Sequence, residues 1–168
     1  MDYRYFYYVE GQCEKKLIDL LKEHQLILPG RIEVFNATQD LFNSARLRLL
    51  PPRSVVILIF DTDTGELYAL IRNIQALRAQ QNVLHVWCVT SVNNLEDELL
   101  RCTDVKELKK MLNCKRNSDF KQAFIAEKHL YEKLINHHFD FSKLWITNPP
   151  EAYMIAGVSN QGSKIKRR

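Results

Sequence analysis

The first half of the chain alternates between short apolar runs and segments of helical periodicity. Residues 3–9 are rich in aromatic and β-branched side chains, which favour a strand, and Glu10-Gly11 ends that run. From residue 13 to 24, apolar side chains recur at spacings of three and four, which predicts an amphipathic helix. The chain is therefore expected to open with a strand, a tight turn and a helix.

The same alternation continues to residue 89. Residues 55–60 are apolar at every position, as in a parallel strand that helices cover on both faces. The other predicted elements are a strand at 31–37, a helix at 39–50 that ends before Pro51-Pro52, a helix at 66–80 and a strand at 82–89. The order βαβαβαβ predicts a parallel sheet of about four strands with right-handed crossovers.

Beyond Thr90 the pattern changes to short helical stretches, at 94–102, 105–112 and 118–136, with a further strand indicated only at 144–147. We expect one α/β domain over residues 1–156, with a core at about 3–100 and a C-terminal helical extension at about 101–156. Residues 157–168 are dominated by Gly, Ser, Asn, Gln and basic side chains, which predicts a flexible basic tail.

Charge and cysteine content add two expectations. The net charge is only +4, but basic residues cluster in the tail, which favours either a polyanionic partner or a simply solvated end. The four cysteines are scattered without a Cys-x-x-Cys pair, so we expect reduced thiols rather than a zinc knuckle or a disulfide framework.

The longest apolar run is too short to span a bilayer, and the first residues lack a signal-peptide pattern. A cytoplasmic protein with no membrane partner is the expectation.

Acidic residues follow three of the four predicted strands. Glu10 comes after the first, Asp61 and Asp63 after the third, and Glu96 and Glu98 shortly after the fourth. Ligands of open parallel sheets bind beyond the carboxyl ends of the strands, and crowded carboxylates gain proton affinity unless a cation compensates them. Hard cations prefer carboxylate oxygen, so the residues predict a Mg²⁺ or Mn²⁺ site rather than zinc. Any one of these acids alone is explained as a helix cap.

Two motifs resemble a known family. Val9-Glu10-Gly11-Gln12-Cys13-Glu14 is similar to the Glu-Gly signature of the Toprim domain, the metal-binding fold of topoisomerases, primases and certain nucleases. Phe60-Asp61-Thr62-Asp63 is similar to its Asp-x-Asp motif, and in that family these motifs follow strands one and three. The second acid, Glu14, makes the chain most like the Toprim domains of OLD-family nucleases and RloB-like proteins. The resemblance covers about residues 3–100 and implies a Toprim-like, Rossmann-like sheet.

The resemblance also implies site residues. In those relatives a serine and a glutamate follow the fourth strand, and Ser91 and Glu96 are similar in type and place, with Glu98 as an alternative. Lys121 corresponds to their catalytic lysine, and Glu10 is a candidate general acid or base. The implied ligands of one or two Mg²⁺ ions held against a phosphodiester are Glu10, Glu14, Asp61, Asp63 and Glu96.

The implied function is Mg²⁺-dependent nuclease activity on nucleic acid, as part of a defence or repair system. Because the sequence places no tyrosine convincingly as a strand-transfer nucleophile, hydrolysis is favoured over strand passage. The family's Toprim domain is usually fused to an ATPase or another module, which suggests a separate ATPase or other protein partner. The oligomeric state stays open.

Two other functions are compatible with these residues. The acids could bind metal only to organise a contact surface for nucleic acid or protein, without turnover. The segment 59–64 also resembles the first motif of haloacid-dehalogenase-type phosphatases. That fold places the motif after its first strand, whereas two βα units precede it here, and no later Gly-Asp-x-x-x-Asp sequence follows.

The aromatic residues of the first strand, Tyr3 to Tyr8, could stack on nucleic-acid bases, but aromatic side chains in a first strand are more often core. We predict a core role for them and for Trp87 and Trp145. His129 and the pair His137-His138 are not expected to form a zinc site, because a charged or capping role suits them better.

Overall fold

Four parallel strands form one sheet in the computed structural model, which describes residues 3–167. Their order in the sheet is β2-β1-β3-β4. The strands are β1 Arg4–Val9, β2 Arg31–Val34, β3 Ser54–Asp61 and β4 Val83–Ser91. The predicted α/β fold, with a central parallel sheet of four strands flanked by helices, is confirmed.

Helices connect the strands and then form an extension after β4. They are α1 Gln12–Glu23, α2 Ser44–Arg48, α3 Tyr68–Arg78, α4 Leu95–Cys102, α5 Leu108–Met111, α6 Phe120–Ala126, α7 Leu130–Asn136, α8 Glu151–Ile155 and α9 Gly162–Ile165, with 3₁₀ turns at Asn117–Asp119 and Phe141–Lys143. None of the helices within residues 3–167 has both the length and the apolar character that crossing a membrane requires.

The sheet separates two hydrophobic cores. Every residue of β3 is buried, because successive side chains point to opposite faces and helices cover both. Ile57 packs with Leu17 of α1 in the first core, and Leu58 packs with Leu70 of α3 in the second. The continuous apolar run in the sequence therefore corresponds to a strand between two cores.

The helix predicted at 39–50 is confined to α2, Ser44–Arg48. The side chain of Asn43 accepts a hydrogen bond from the backbone N–H of Arg46 at 2.8 Å and so begins the helix late. The preceding loop is fixed by Asn73, a buried residue of α3 whose side-chain amide hydrogen-bonds to three backbone groups between residues 37 and 42.

The helix predicted at 118–136 is two helices, α6 and α7. Glu127 has an extended backbone, and its carboxylate accepts a hydrogen bond from the N–H of His129 at 2.9 Å and pairs with Lys133 at 2.6 Å. The strand predicted at 144–147 is also wrong, since this segment is irregular and buries Leu144 and Trp145. Side-chain capping and burial outweigh periodicity in both places.

The prediction of a flexible tail from Gly157 is corrected by the packing of this segment. Gln161 donates its N–H to the carbonyl of Cys88 at 2.7 Å and accepts from the N–H of Cys88 at 3.1 Å, so the segment covers the free edge of β4. Ile165 is fully buried, and its carbonyl accepts from the N–H of Leu28 at 2.8 Å. Met1, Asp2 and Arg168, which the predicted domain and tail include, lie outside the described residues.

Candidate metal centre

The strand order places a topological switch point between β1 and β3. The connection from β1 leads to β2 on one side, while β3 lies on the other side, so the loops after β1 and β3 diverge. Glu10 directly follows β1, and Asp61 ends β3. An oxygen of Glu10 accepts a hydrogen bond from the backbone N–H of Asp61 at 3.0 Å. The structure therefore brings these two predicted residues together at the switch point of the sheet.

Asp61 is a buried carboxyl group without compensation. Its side chain is 9% exposed, and its Oδ1 atom has no hydrogen-bond partner among residues 3–167. Burial, followed by the negative charges of Glu14 and Glu10, raises the pKa of Asp61 to about 8. The hydroxyl of Ser91 lies close enough to oppose this rise, although the two groups form no hydrogen bond of good geometry. Without a cation, Asp61 is therefore largely protonated at neutral pH.

Glu14 lies in the first turn of α1 and is also buried. A Cβ atom at Gly11 would lie 3.0 Å from an oxygen of Glu14, so the glycine leaves room for this carboxylate. Burial raises the pKa of Glu14, and the charges of Glu10 and Glu96 raise it further. The Glu10-Gly11 pair thus has a physical role, since Glu10 reaches β3 and Gly11 accommodates the second acid.

The loops after β3 and β4 are joined by hydrogen bonds. The N–H of Thr62 donates to the carbonyls of Ser91 at 3.1 Å and Asn93 at 3.0 Å. The N–H of Asn93 donates to the hydroxyl of Thr62 at 3.0 Å, and its φ of 64° is in the left-handed region that asparagine tolerates. These contacts hold the start of α4 beside Asp61.

Glu96 and Lys121 lie at the same edge. The Nζ atom of Lys121, on α6, is 3.8 Å from an oxygen of Glu96, on α4. The charge of Glu96, and to a smaller extent those of Glu14 and Asp61, raises the pKa of Lys121. At 71% exposure the lysine side chain is loosely held and free to meet a ligand from solvent. The structure therefore places the predicted lysine among the acids.

Asp63 stands at the exposed rim, and Tyr153 lies beside it. The tyrosine comes from α8 and is 1% exposed, and burial followed by the charge of Asp63 raises its pKa. Its hydroxyl lies near Thr64 and Gly65 but makes no hydrogen bond of good geometry with any of residues 3–167. Sequence reasoning missed Tyr153, since no motif links a tyrosine in the C-terminal extension to the Asp-x-Asp loop.

Comparison with protein-family models, curated proteins and solved structures gave no match. The prediction of a Toprim-like domain depends on the Glu10-Gly11 and Asp61-x-Asp63 motifs. In the structure these motifs follow β1 and β3, which are neighbours in the sheet.

Glu98 is not brought to the other acids. It is fully buried, and one oxygen accepts from Arg101 at 2.6 Å and from the N–H of Val92 at 3.1 Å. The other oxygen accepts from the N–H of Trp145 at 3.2 Å. Residues two apart on a helix point in different directions, so Glu96 faces the site while Glu98 connects α4 to the C-terminal extension. The role that the structure supports for Glu98 is structural rather than metal-binding.

This role predicts a loss of stability when Glu98 is changed. The Glu98→Gln variant keeps the size of the side chain but removes the charge that Arg101 and two backbone N–H groups share. We expect the free energy of unfolding, measured by urea titration, to fall by about 2 to 3 kcal/mol. Glu107→Gln is the control, because its pairs with Lys109 and Lys110 are on the surface and should matter little. Unchanged stability with lost Mn²⁺ binding would instead return Glu98 to the site.

The predicted ligands suit a hard divalent cation, both in their chemistry and in their position at the carboxyl edge of the sheet. Its members are carboxylates, the charges acting most strongly on Asp61 are negative, and Gly11 leaves the room that Glu14 occupies. The side chains are not drawn together, however. Within residues 3–167, no three His, Cys, Asp or Glu side chains converge closely enough to hold an ion. An ion at this edge would have to draw the carboxylates closer than they lie here.

Proposed function

We propose that the protein hydrolyses phosphodiester bonds of nucleic acid with the help of Mg²⁺ or Mn²⁺. The observation that supports this most strongly is Asp61, a buried carboxyl group that has negative neighbours and an unpartnered inner oxygen. A cation would supply the charge that this group lacks, and Mg²⁺ sites of a few carboxylates are suited to phosphate substrates. The residues that would hold it are Glu10, Glu14, Asp61, Asp63 and Glu96.

Asp61, Glu10 and Lys121 have distinct parts in the proposed reaction. Asp61 would release its proton when the ion binds, so binding should be tighter as the pH rises. Glu10 is held by the N–H of Asp61 and is partly exposed, so it would either bind the ion or act instead as a general acid or base that exchanges protons with water. The ammonium group of Lys121 would balance charge that develops on the phosphate. The bound ion would lower the pKa of the attacking water.

Hydrolysis is supported over strand transfer through a tyrosine. Tyr153 lies beside Asp63, but it is 1% exposed and packs in the core that contains Phe60. A buried hydroxyl cannot reach a phosphodiester without displacing this core. We therefore favour water over Tyr153 as the nucleophile.

A second candidate function is supported by the spacing of the acids. Because no three potential ligands converge within the described chain, the site could bind an ion only when a partner orders it. The protein would then be a metal-organised contact for nucleic acid or for a separate protein such as an ATPase, without turnover of its own.

Cleavage assays with wild-type protein separate these functions. Single- and double-stranded DNA and RNA are incubated with Mg²⁺, with Mn²⁺ and with EDTA, and products are resolved on denaturing gels. Products that require metal and disappear in Glu10→Gln support hydrolysis. Metal binding without product from any substrate leaves the organising role. Absence of metal binding, with nucleic acid present as well as without it, contradicts hydrolysis.

A further inference from the structure

Four aromatic rings form a partly uncovered platform on the sheet, distant from the acids. Tyr3 and His85 are exposed, while Tyr5 and Trp87 are half-buried. The centroids of adjacent rings are 6.3 Å apart for Tyr3 and Tyr5, 6.3 Å for Tyr3 and His85, 6.2 Å for Tyr5 and Trp87, and 6.0 Å for His85 and Trp87. The predicted core role is correct for Tyr7 and Trp145, which are buried, but wrong for Tyr3. We call these four residues the aromatic platform.

The sheet itself holds the platform in place. Tyr5, Val55 and His85 lie side by side on β1, β3 and β4. Val55 is fully buried, so it supports the rings that flank it. Helix α1 packs further along the same face, against Tyr7 and the carboxyl half of the strands. The helices therefore leave the platform open to solvent.

Positive charge borders the platform on two sides. The guanidinium carbon of Arg53 is 5.9 Å from the ring centroid of Tyr3, and Nζ of Lys164 is 5.5 Å from that of Trp87. Both distances suit cation–π attraction, which orients a cation beside the ring. Lys164 belongs to the C-terminal segment whose basic composition suggested a polyanionic partner.

A groove beside the platform extends past the amino ends of β1 and β2 to two more cations, whose positions alternate to the opposite face of the sheet. It has a volume of about 540 Å³, and Tyr3, Arg4, Tyr5 and Arg31 are among the residues that line it. Arg4 and Arg31 are exposed, as are Arg53 and Lys164. The ion pairs within residues 3–167 involve none of these four side chains, so their charge is available to a ligand.

We propose that the aromatic platform and its basic border bind single-stranded nucleic acid. Unpaired bases stack on aromatic side chains whatever their sequence, and neighbouring arginine and lysine side chains contact the phosphates. The stacked bases of a duplex do not expose their faces in this way. The platform goes beyond the proposed hydrolysis, because binding there needs no metal and does not depend on turnover.

The platform and the acid site can be tested separately. Glu10 directly follows β1 and is five residues beyond Tyr5, which corresponds to about 16 Å of extended chain. Changes to Tyr3, at the outer end of the platform, therefore leave the metal centre intact. Binding is measured in EDTA so that no cleavage interferes.

Fluorescence anisotropy with labelled oligothymidylate and oligouridylate of about 15 nucleotides tests the proposal. We expect both to bind more tightly than a duplex of the same length, and Tyr3→Ala to weaken binding about fivefold or more. Lys164→Gln should reduce the slope of log affinity against log salt by about 0.7. Tyr68→Ala is the matched control: Tyr68 is exposed on α3, which packs on the opposite face of the sheet, and carries Arg72 at 5.8 Å.

Tryptophan fluorescence gives an independent readout. The chain contains two tryptophans, and Trp145 is 1% exposed, so stacking bases can quench only Trp87. We expect oligothymidylate to quench the emission of wild-type protein, and Trp87→Phe to lose this quenching while it still binds. Equal effects of Tyr3→Ala and Tyr68→Ala, or no binding by wild type, would overturn the proposal. So would self-association that Tyr3→Ala abolishes while oligonucleotide binding is unchanged, since the platform would then be a protein contact.

Discussion

Asp61→Asn is expected to lower the kcat/KM of metal-dependent cleavage by about a thousandfold or more. Asparagine keeps the size of the side chain and leaves the backbone N–H of Asp61 to hold Glu10. It removes the one buried carboxylate whose inner oxygen has no partner within the described chain. Initial rates of oligonucleotide cleavage at several Mn²⁺ concentrations measure the loss, and excess Mn²⁺ should not restore the rate.

Asp19→Asn is the matched control for this change. Asp19 is on the solvent side of α1, where it pairs with Lys15 at 2.6 Å, so its replacement should leave cleavage unchanged. Asp63→Asn should have an intermediate effect, because Asp63 is exposed and influences Asp61 less than Glu14 and Glu10 do. Full activity of Asp61→Asn would exclude this carboxylate from the reaction.

The second large effect of Asp61→Asn is on stability. The substitution that should lower activity should also stabilise the metal-free protein at alkaline pH. Folding raises the pKa of Asp61 from 3.8 to about 8, so between these values the folded protein holds a proton that the unfolded chain has released. In EDTA, this group's contribution to the free energy of unfolding should therefore be greatest below about pH 4 and decrease as the pH rises to about 8. The decrease is at most about 1.4 kcal/mol for each pH unit.

Urea titrations of wild type and Asp61→Asn between pH 5 and pH 9 measure this contribution as the difference between the two proteins. Without metal, the variant should be the more stable protein at the alkaline end, because asparagine carries no charge to bury. Added Mg²⁺ should stabilise wild type and leave the variant nearly unchanged. If the free energies of unfolding of the two proteins changed in parallel with pH in EDTA, burial of the Asp61 carboxylate would not destabilise the fold.

The central sheet and the order of the acids could be read from the sequence because both depend on local pattern. The uniformly apolar run at 55–60 is typical of a central parallel strand, and the end of that run fixes Asp61 at the carboxyl edge. Glu10 is fixed in the same way by the end of β1. Two strand ends were enough to predict that these residues would meet.

The remaining differences come from contacts between residues distant in sequence. Asn73 fixes the loop before α2, and Gln161 covers the edge of β4, although neither residue carries a local signal for that role. The roles of Glu96 and Glu98 depend on the rotation of α4, which is set where Asn94 caps the helix by accepting from the N–H of Asp97 at 2.9 Å. Composition alone could not distinguish the two glutamates.

The exposure of the aromatic platform also could not be predicted from the local sequence pattern. Tyr3 and Tyr7 share a strand face and a residue type, yet Tyr7 is fully buried and Tyr3 is 40% exposed. The difference depends on where α1 crosses the sheet. Helix position is a property of the whole fold, so alternation within one strand could not predict it.

Anomalous scattering from a crystal soaked in Mn²⁺ tests most directly whether a cation compensates the buried acids. We expect a manganese peak between the loops after β1 and β3, with carboxylate oxygens of Asp61 and Glu10 as ligands. A peak elsewhere, or none at this edge while Asp61 stays buried and unpartnered at alkaline pH, would contradict the claim that a divalent cation compensates these acids.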